Sequence, residues 1–136
     1  MLINEVVAYM DDYLRLAEFK DYGPQGLQVE ARAQEVQRIA LSVDVDMLLV
    51  HHGIFWRSVE RIAGPLGKRV RLLLENDIHL YAAHLALDGH PAVGNNAVLA
   101  QMWGVDVAGF WCAPMGTPIG VYGRVTAVTP LTQFVA

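Results

Sequence analysis

The chain has 136 residues, of which 54% are hydrophobic and 18% are charged, and its formal net charge is −4. A typical soluble domain carries roughly 25% charged residues, so this composition favours burial and excludes intrinsic disorder. No apolar stretch is long enough for a membrane span, no N-terminal pattern indicates a secretory signal, and no basic stripe indicates nucleic-acid binding. We therefore expect residues 1–136 to form one α/β domain, with more apolar surface than a free domain of this length needs.

The first half of the chain alternates between helical and extended patterns. Apolar residues recur every three or four positions over residues 2–17, which predicts a helix, and a Gly- and Pro-rich turn follows. Short aliphatic runs predict strands at 27–29, 36–43, 47–50 and 78–83, with a helix at 67–76. This alternation predicts an α/β layered fold, in which helices flank a largely parallel or mixed sheet.

The second half is less regular. Residues 95–103 are predicted to form a helix that ends at Gly104, residues 110–118 an irregular stretch, and residues 119–128 a strand. Thr129 and Pro130 resemble the start of a helix, yet the chain stops at Ala136. We therefore expect this chain to be an incomplete piece of a longer protein.

The link between the strands at 36–43 and 47–50 is short, since it consists of Asp44, Val45 and Asp46. Parallel neighbours need a crossover of about a dozen residues, whereas a tight hairpin favours Gly or Asn in its turn. We hypothesise that a crossover helix is missing between Asp46 and Met47. Asp44 either caps such a helix or faces a ligand cleft.

Histidines follow the ends of two predicted strands. His51 and His52 come directly after one apolar strand, and His84 and Asp88 follow the next. Ligand sites in open α/β sheets lie outside the carboxyl ends of the strands, and imidazole with carboxylate suits Zn, Mn or Fe(II). We expect His51, His52 and Asp88 to converge on a metal. His84 is a further ligand, a group that fixes the carboxylate, or a structural histidine beneath the loop.

Other polar residues have plainer interpretations. His90 lies beside a proline and is interpreted as lining the cleft, whereas His79 is interpreted as a surface or interface residue. Asn95 and Asn96 are interpreted as helix caps. The single Cys112 cannot form an internal disulfide, which predicts a small core residue and a reducing, cytoplasmic setting.

Four segments resemble the NIF-three-like dinuclear metal-centre family, whose members are described as GTP cyclohydrolase I type 2 homologues. The matching segments are DYGPQGLQV at 21–29, LVHHG at 49–53, YAAHLALD at 81–88 and VGNNA at 93–97. The resemblance implies an α/β fold, a toroidal homohexamer and two divalent metal ions (Zn, Fe, Mn or Mg), with His51, His52 and Asp88 among the ligands. It also implies a crossover helix before the His pair and a C-terminal half that supplies further ligands, so this chain would hold about half of a site.

Two functions follow from these features. The first is a metal-dependent, hydrolase-like protein that acts on a nucleotide or another small phosphorylated substrate, with His84 and His90 as catalytic groups that orient the metals or shuttle protons. The alternative is a non-catalytic metal-binding regulatory or scaffold protein that works through protein partners. Aromatic residues would then contact those partners, although hexamer contacts or the core would use them equally well; they are Trp56, Trp103, Phe110 and Trp111.

Overall fold

The computed structural model describes residues 1–40, 45–56, 61–127 and 130. Its elements are α1 (Ile3–Tyr13), a 3₁₀ turn (Leu16–Glu18), β1 (Gly26–Val29), β2 (Ile39–Ala40), β3 (Met47–Val50), α2 (Gly64–Glu75), β4 (His79–Ala82), α3 (Leu85–Gly89), α4 (Asn95–Met102), β5 (Val105–Trp111) and β6 (Gly120–Val125). A four-stranded sheet has the order β1-β4-β3-β2, in which β2, β3 and β4 are parallel and β1 is antiparallel to β4. The mixed sheet with flanking helices confirms the predicted α/β layered fold.

The sheet separates two apolar layers. Alternate residues of a strand point to opposite faces, so Met47 and Tyr81 pack with Ile3 of α1 on one face. On the other face Leu80 packs with Leu73 of α2. Every residue of β4 is buried, because this strand lies inside the sheet and is covered on both faces.

His79 is fully buried at the start of β4, so its interpretation as a surface residue is wrong. Its Nδ1 accepts a hydrogen bond from the Ala31 N–H at 3.1 Å, and its Nε2–H donates to the Ala33 carbonyl at 3.0 Å. Both ring nitrogens therefore form hydrogen bonds with the segment that follows β1. His79 is a structural residue that ties this segment to the sheet.

The parallel strands β2 and β3 are joined by residues 41–46 alone. Asp46 and Met47 are consecutive in the sequence, and their N–H groups both donate to the Arg38 carbonyl, at 3.0 and 3.2 Å, so no helix lies between them as was hypothesised. The link is long enough because β2 pairs over two residues, and the chain must return only about 7 Å. The backbone N–H groups of Gln37 and Arg38 donate to the Asp46 carboxylate at 2.8 Å and lower its pKa.

The chain beyond α4 forms an antiparallel ribbon of β5 and β6. β6 was predicted, whereas β5 lies largely outside the predicted elements. Gly104 has a φ of +62° just past α4, which confirms the predicted helix end. Cys112 is exposed, so its interpretation as a core residue is wrong. Asp44, Thr129 and the residues after Pro130 lie outside the described residues.

Among the described residues, no helix has both the length and the apolar character that crossing a membrane requires.

Candidate metal site

Two parallel strands end side by side at the site. Val50 at the end of β3 is in register with Ala82 at the end of β4, and the Ala83 N–H donates to the Val50 carbonyl at 3.0 Å. The residues that follow each strand therefore meet at one edge of the sheet. Three histidines converge there, with one ligand atom of each lying within 4.8 Å of the others; they are His51, His52 and His84.

The protonation of His51 is fixed by the backbone. Its Nδ1 lies 3.0 Å from the Ala83 carbonyl oxygen, which can only accept, so Nδ1 carries the proton and the Nε2 lone pair is available. That Nε2 lies 3.7 Å from Oδ1 of Asp88. Asp88 thus adjoins the cluster on the His51 side, although it is not one of the three residues whose ligand atoms are mutually within 4.8 Å.

His84 is held by a buried carboxylate. Its Nδ1 lies 2.8 Å from Oδ1 of Asp21, whose side chain is only 3% exposed. The other carboxylate oxygen of Asp21 accepts the Leu85 N–H at 2.9 Å. Asp21 therefore fixes the ring and leaves Nε2 available to the cluster, as carboxylates do for metal-binding histidines. Sequence reasoning missed this role, and the only signal for it was the position of Asp21 in the matching segment 21–29.

Gln28 of β1 braces the turn that carries the His pair. Its Oε1 accepts the Ile54 N–H at 2.9 Å, and its Nε2 donates to the Pro24 carbonyl at 2.6 Å. A Cβ at Gly53 would overlap the Gln28 amide, so a larger residue there would displace that amide. Segment 21–29 thus holds both histidine-bearing turns, one through Asp21 and the other through Gln28.

Trp56 closes one side of the cluster. Its ring meets His52 and His84 edge-on, with centroid distances of 5.5 and 5.2 Å, and 37% of the residue is exposed. The sequence placed Trp56 only among possible partner contacts. The structure makes it a neighbour of two histidines of the site.

His90 is not part of the cluster. It is buried, its Nε2–H donates to the Tyr13 carbonyl at 2.9 Å, and its Nδ1 accepts two backbone N–H groups of the loop that follows, each at 3.2 Å. Neither nitrogen is free to face a cleft. The catalytic role expected for His90 stays a prediction without geometric support.

Asn95 and Asn96 do not cap their helix, because Gly94 is the N-cap residue and no side chain caps it. Instead Nδ2 of Asn95 donates to Oδ1 of Asp88 at 2.9 Å. Nδ2 of Asn96 donates to the backbone carbonyls of Asp88 and Ile119, at 3.3 and 2.8 Å. Asn95 thus holds the Asp88 carboxylate beside His51, while Asn96 holds the Asp88 backbone.

Fold and site together define an α/β protein with convergent imidazoles at the carboxyl ends of adjacent parallel strands. The chain belongs to the Duf34/NIF3 family (NGG1p interacting factor 3), which it matches over residues 1–136. The GTP cyclohydrolase 1 type 2 homolog of Pyrococcus abyssi is 37% identical over 141 residues, covering 94% of this chain and 56% of the relative. The homolog of Vibrio cholerae is 44% identical over 119 residues, covering 77% and 47%. The family resemblance is confirmed.

Solved structures agree with this assignment. A protein described as ybgI, of unknown function, is 35% identical with a TM-score of 0.85, and the match covers 98% of this chain and 57% of that one. TTHA1606 from Thermus thermophilus is 38% identical with a TM-score of 0.84, covering 98% and 58%. The chain therefore spans about half the length of the relatives it matches. The Pyrococcus alignment of 141 residues is also longer than the whole chain of 136, so that relative has residues within the matched region that have no counterpart here.

Proposed function

We propose that the chain is a divalent-metal-binding, hydrolase-like protein whose ions are held by His51, His52, His84 and Asp88. The observation that carries the proposal is the convergence of three imidazoles within 4.8 Å. The fit is chemical as well as spatial, because the backbone and Asp21 hold the Nδ1 protons of two of these rings and leave their Nε2 lone pairs available. A set of three nitrogens and one carboxylate suits Zn, Fe or Mn better than Mg, which prefers oxygen.

We further propose a dinuclear centre. Three imidazoles and one carboxylate provide two protein donors for each of two ions, so water or residues outside this set would complete the coordination. A single ion could instead be coordinated by all four of these donors. The number of ions bound per chain therefore decides between a mononuclear and a dinuclear site.

The reaction proposed for this site is hydrolysis of a nucleotide or a related phosphorylated molecule. Divalent ions supply Lewis-acid chemistry, lowering the pKa of a water molecule and offsetting phosphoryl charge. The chain's own contribution is to hold the donors in place, through Asp21 at His84 and Asn95 at Asp88. The names of the curated relatives support a nucleotide substrate. The cytoplasmic setting stays a prediction.

Replacing His51 and His52 together with Ala tests the proposal. We expect the double variant to lose all metal uptake, measured by elemental analysis of the purified protein after incubation with Zn, Mn or Fe(II). The single variant His90→Gln is the control, since neither nitrogen of His90 faces the cluster, and its metal content should match that of the wild type. Two ions retained by the double variant would refute the assignment.

The second candidate is a metal-binding scaffold without turnover, proposed to work through protein partners or a homohexamer. It is favoured by exposed aromatic residues in the second half of the chain: Trp103, Phe110 and Trp111 are 53%, 46% and 61% exposed. Aromatic residues are enriched at protein interfaces. Turnover of a nucleotide panel by the metal-loaded protein would exclude the scaffold, whereas its absence in the full-length relatives as well would favour it. Mass measurement in solution tests the hexamer.

A further inference from the structure

β3 is an inner strand of the sheet, yet one of its faces is incompletely covered. Leu48 and Leu80 are in register and share the face that carries α2. Leu80 is 3% exposed because α2 packs over β4 and β1. Leu48 and Val50 are only half-buried. Within the described part of the chain, the helical layer on this face therefore stops short of β3.

An apolar groove results, which we call the β3 groove. It has a volume of about 400 Å³, and its floor and walls include Leu48, Val50, Ile54, Leu72 and Ile78. His52 lies in its lining, and Arg69 of α2 is its cationic residue. The lining is continuous between the sheet and α2. Its shape is that of a gap in a layer of helices packed on a sheet, from which one helix has been removed.

The topology indicates what kind of element fits there. β2, β3 and β4 are parallel and adjacent in that order, and the β3-to-β4 crossover contains α2. Parallel crossovers are right-handed, so a helix in the β2-to-β3 crossover would lie on the α2 face, directly over β3. In this chain the crossover is residues 41–46, which are too few to supply such a helix as well as the return path. The relative from Pyrococcus abyssi has additional residues within the matched region.

We propose that the β3 groove binds an amphipathic α-helix donated by a partner protein. Four residues of β3 span about 13 Å, which two to three turns of helix, roughly 8–11 residues, would cover. The apolar face of that helix packs on Leu48, Val50 and Leu72. An acidic residue beside the apolar face pairs with Arg69. Such a helix binds in the helix-in-groove mode, with apolar residues at steps of three and four.

The bound helix would also reach the metal site, because His52 belongs both to the groove and to the histidine cluster. A partner seated in the groove would restrict access to that side of His52. The helix binding itself requires no metal, so it does not depend on the proposed function.

The test uses a labelled 14-residue helical peptide with a leucine face and flanking glutamates, titrated with the metal-free chain and followed by fluorescence anisotropy. We expect saturable binding, weakened roughly three- to tenfold by Arg69→Glu. A peptide with lysine in place of glutamate should recover affinity for that variant. Arg71→Glu is the matched control, since Arg71 is on the same helix but does not line the groove. Leu48→Asp should abolish binding.

Three outcomes would overturn the proposal: no binding to the wild type, equal weakening by the two arginine variants, or a lysine peptide that fails to distinguish them. Light scattering distinguishes a partner helix from a second copy of the chain. If the chain alone forms a dimer that Leu48→Asp dissociates and the peptide does not displace, the occupant of the groove is a second copy, and a donated partner helix is excluded.

Discussion

Replacing Asp21 with Asn tests whether the buried carboxylate orients His84 for metal binding. The carboxylate accepts two hydrogen bonds, from Nδ1–H of His84 at 2.8 Å and from the Leu85 N–H at 2.9 Å. Asn keeps the shape but has one acceptor oxygen and one donor amide. Either the Leu85 N–H or the His84 Nδ1–H then faces an NH₂ group, and His84 can relieve the conflict by moving its proton to Nε2. That tautomer points an N–H into the cluster.

The expected loss follows from comparable sites. Removing the group that orients a metal-binding histidine costs about 10- to 100-fold in affinity, which is about 1.4–2.8 kcal/mol. Leaving a buried hydrogen-bonding group unsatisfied also lowers the free energy of unfolding by about 1–3 kcal/mol. Competition with a chromogenic chelator measures the Zn affinity, and urea unfolding measures the stability. Nitrogen NMR shifts of His84 in the metal-free protein at alkaline pH report the tautomer directly.

Asp77→Asn is the matched control. Asp77 also accepts two backbone N–H groups, from Arg32 at 2.7 Å and Ala33 at 3.0 Å, and Asn tolerates its positive φ of 59°. Both bonds reach the same oxygen, Oδ1, which Asn retains, so this variant should keep most of the stability and the wild-type metal affinity. The reasoning fails if Asp21→Asn folds and binds Zn within twofold of the wild type, or if both variants lose affinity equally.

Two further predictions concern stability, and a third concerns metal binding. Burial and a 2.7 Å hydrogen bond to Asp11 raise the pKa of the Tyr81 hydroxyl. The stability that this hydroxyl contributes is therefore present below about pH 10 and falls as the pH rises further. Tyr81→Phe should lower the free energy of unfolding by about 1 kcal/mol at pH 8, and urea titrations should show that the variant loses less stability than the wild type at alkaline pH. The lowered pKa of Asp46 predicts stability that is present above about pH 4 and lost as the pH falls, and Asp46→Asn should flatten this acid slope in thermal melts. Gly53→Ala forces the Gln28 amide out of place, and calorimetry should show weaker Zn binding; unchanged binding would mean that Gln28 does not brace the His pair.

Much of the sheet could be predicted because its strands are distinctive in sequence. β3 and β4 are short aliphatic runs that stop at polar residues, and the residues that follow two parallel neighbours must meet at one sheet edge. His51, His52 and His84 were located by this reasoning. β5 was missed because it is largely exposed on both sides and has a register shift between Val107 and Gly109, which breaks the alternating pattern.

The histidines show where sequence position stops being informative. His79 begins β4 and His90 follows α3, and each has a ring nitrogen that bonds to a backbone group far away in the chain. His79 reaches Ala31, 48 residues distant, and His90 reaches Tyr13, 77 residues distant. Such partners are set by tertiary packing, so residue type and local spacing cannot distinguish a structural histidine from a ligand.

Segment 21–29 connects the stability of the fold to the order of the site. Its strand β1 pairs with β4, while its side chains hold His84 through Asp21 and the His-pair turn through Gln28. The ligand-bearing turns are thus fixed by hydrogen bonds that exist without any ion, and little ordering remains to be done when one binds. A metal that binds only the folded chain stabilises it by about 2.7 kcal/mol at 100 times its dissociation constant. Because the same bonds hold both fold and ligands, loosening this segment weakens metal binding and folding together, whereas a change in the exposed β5–β6 ribbon leaves the histidines in place.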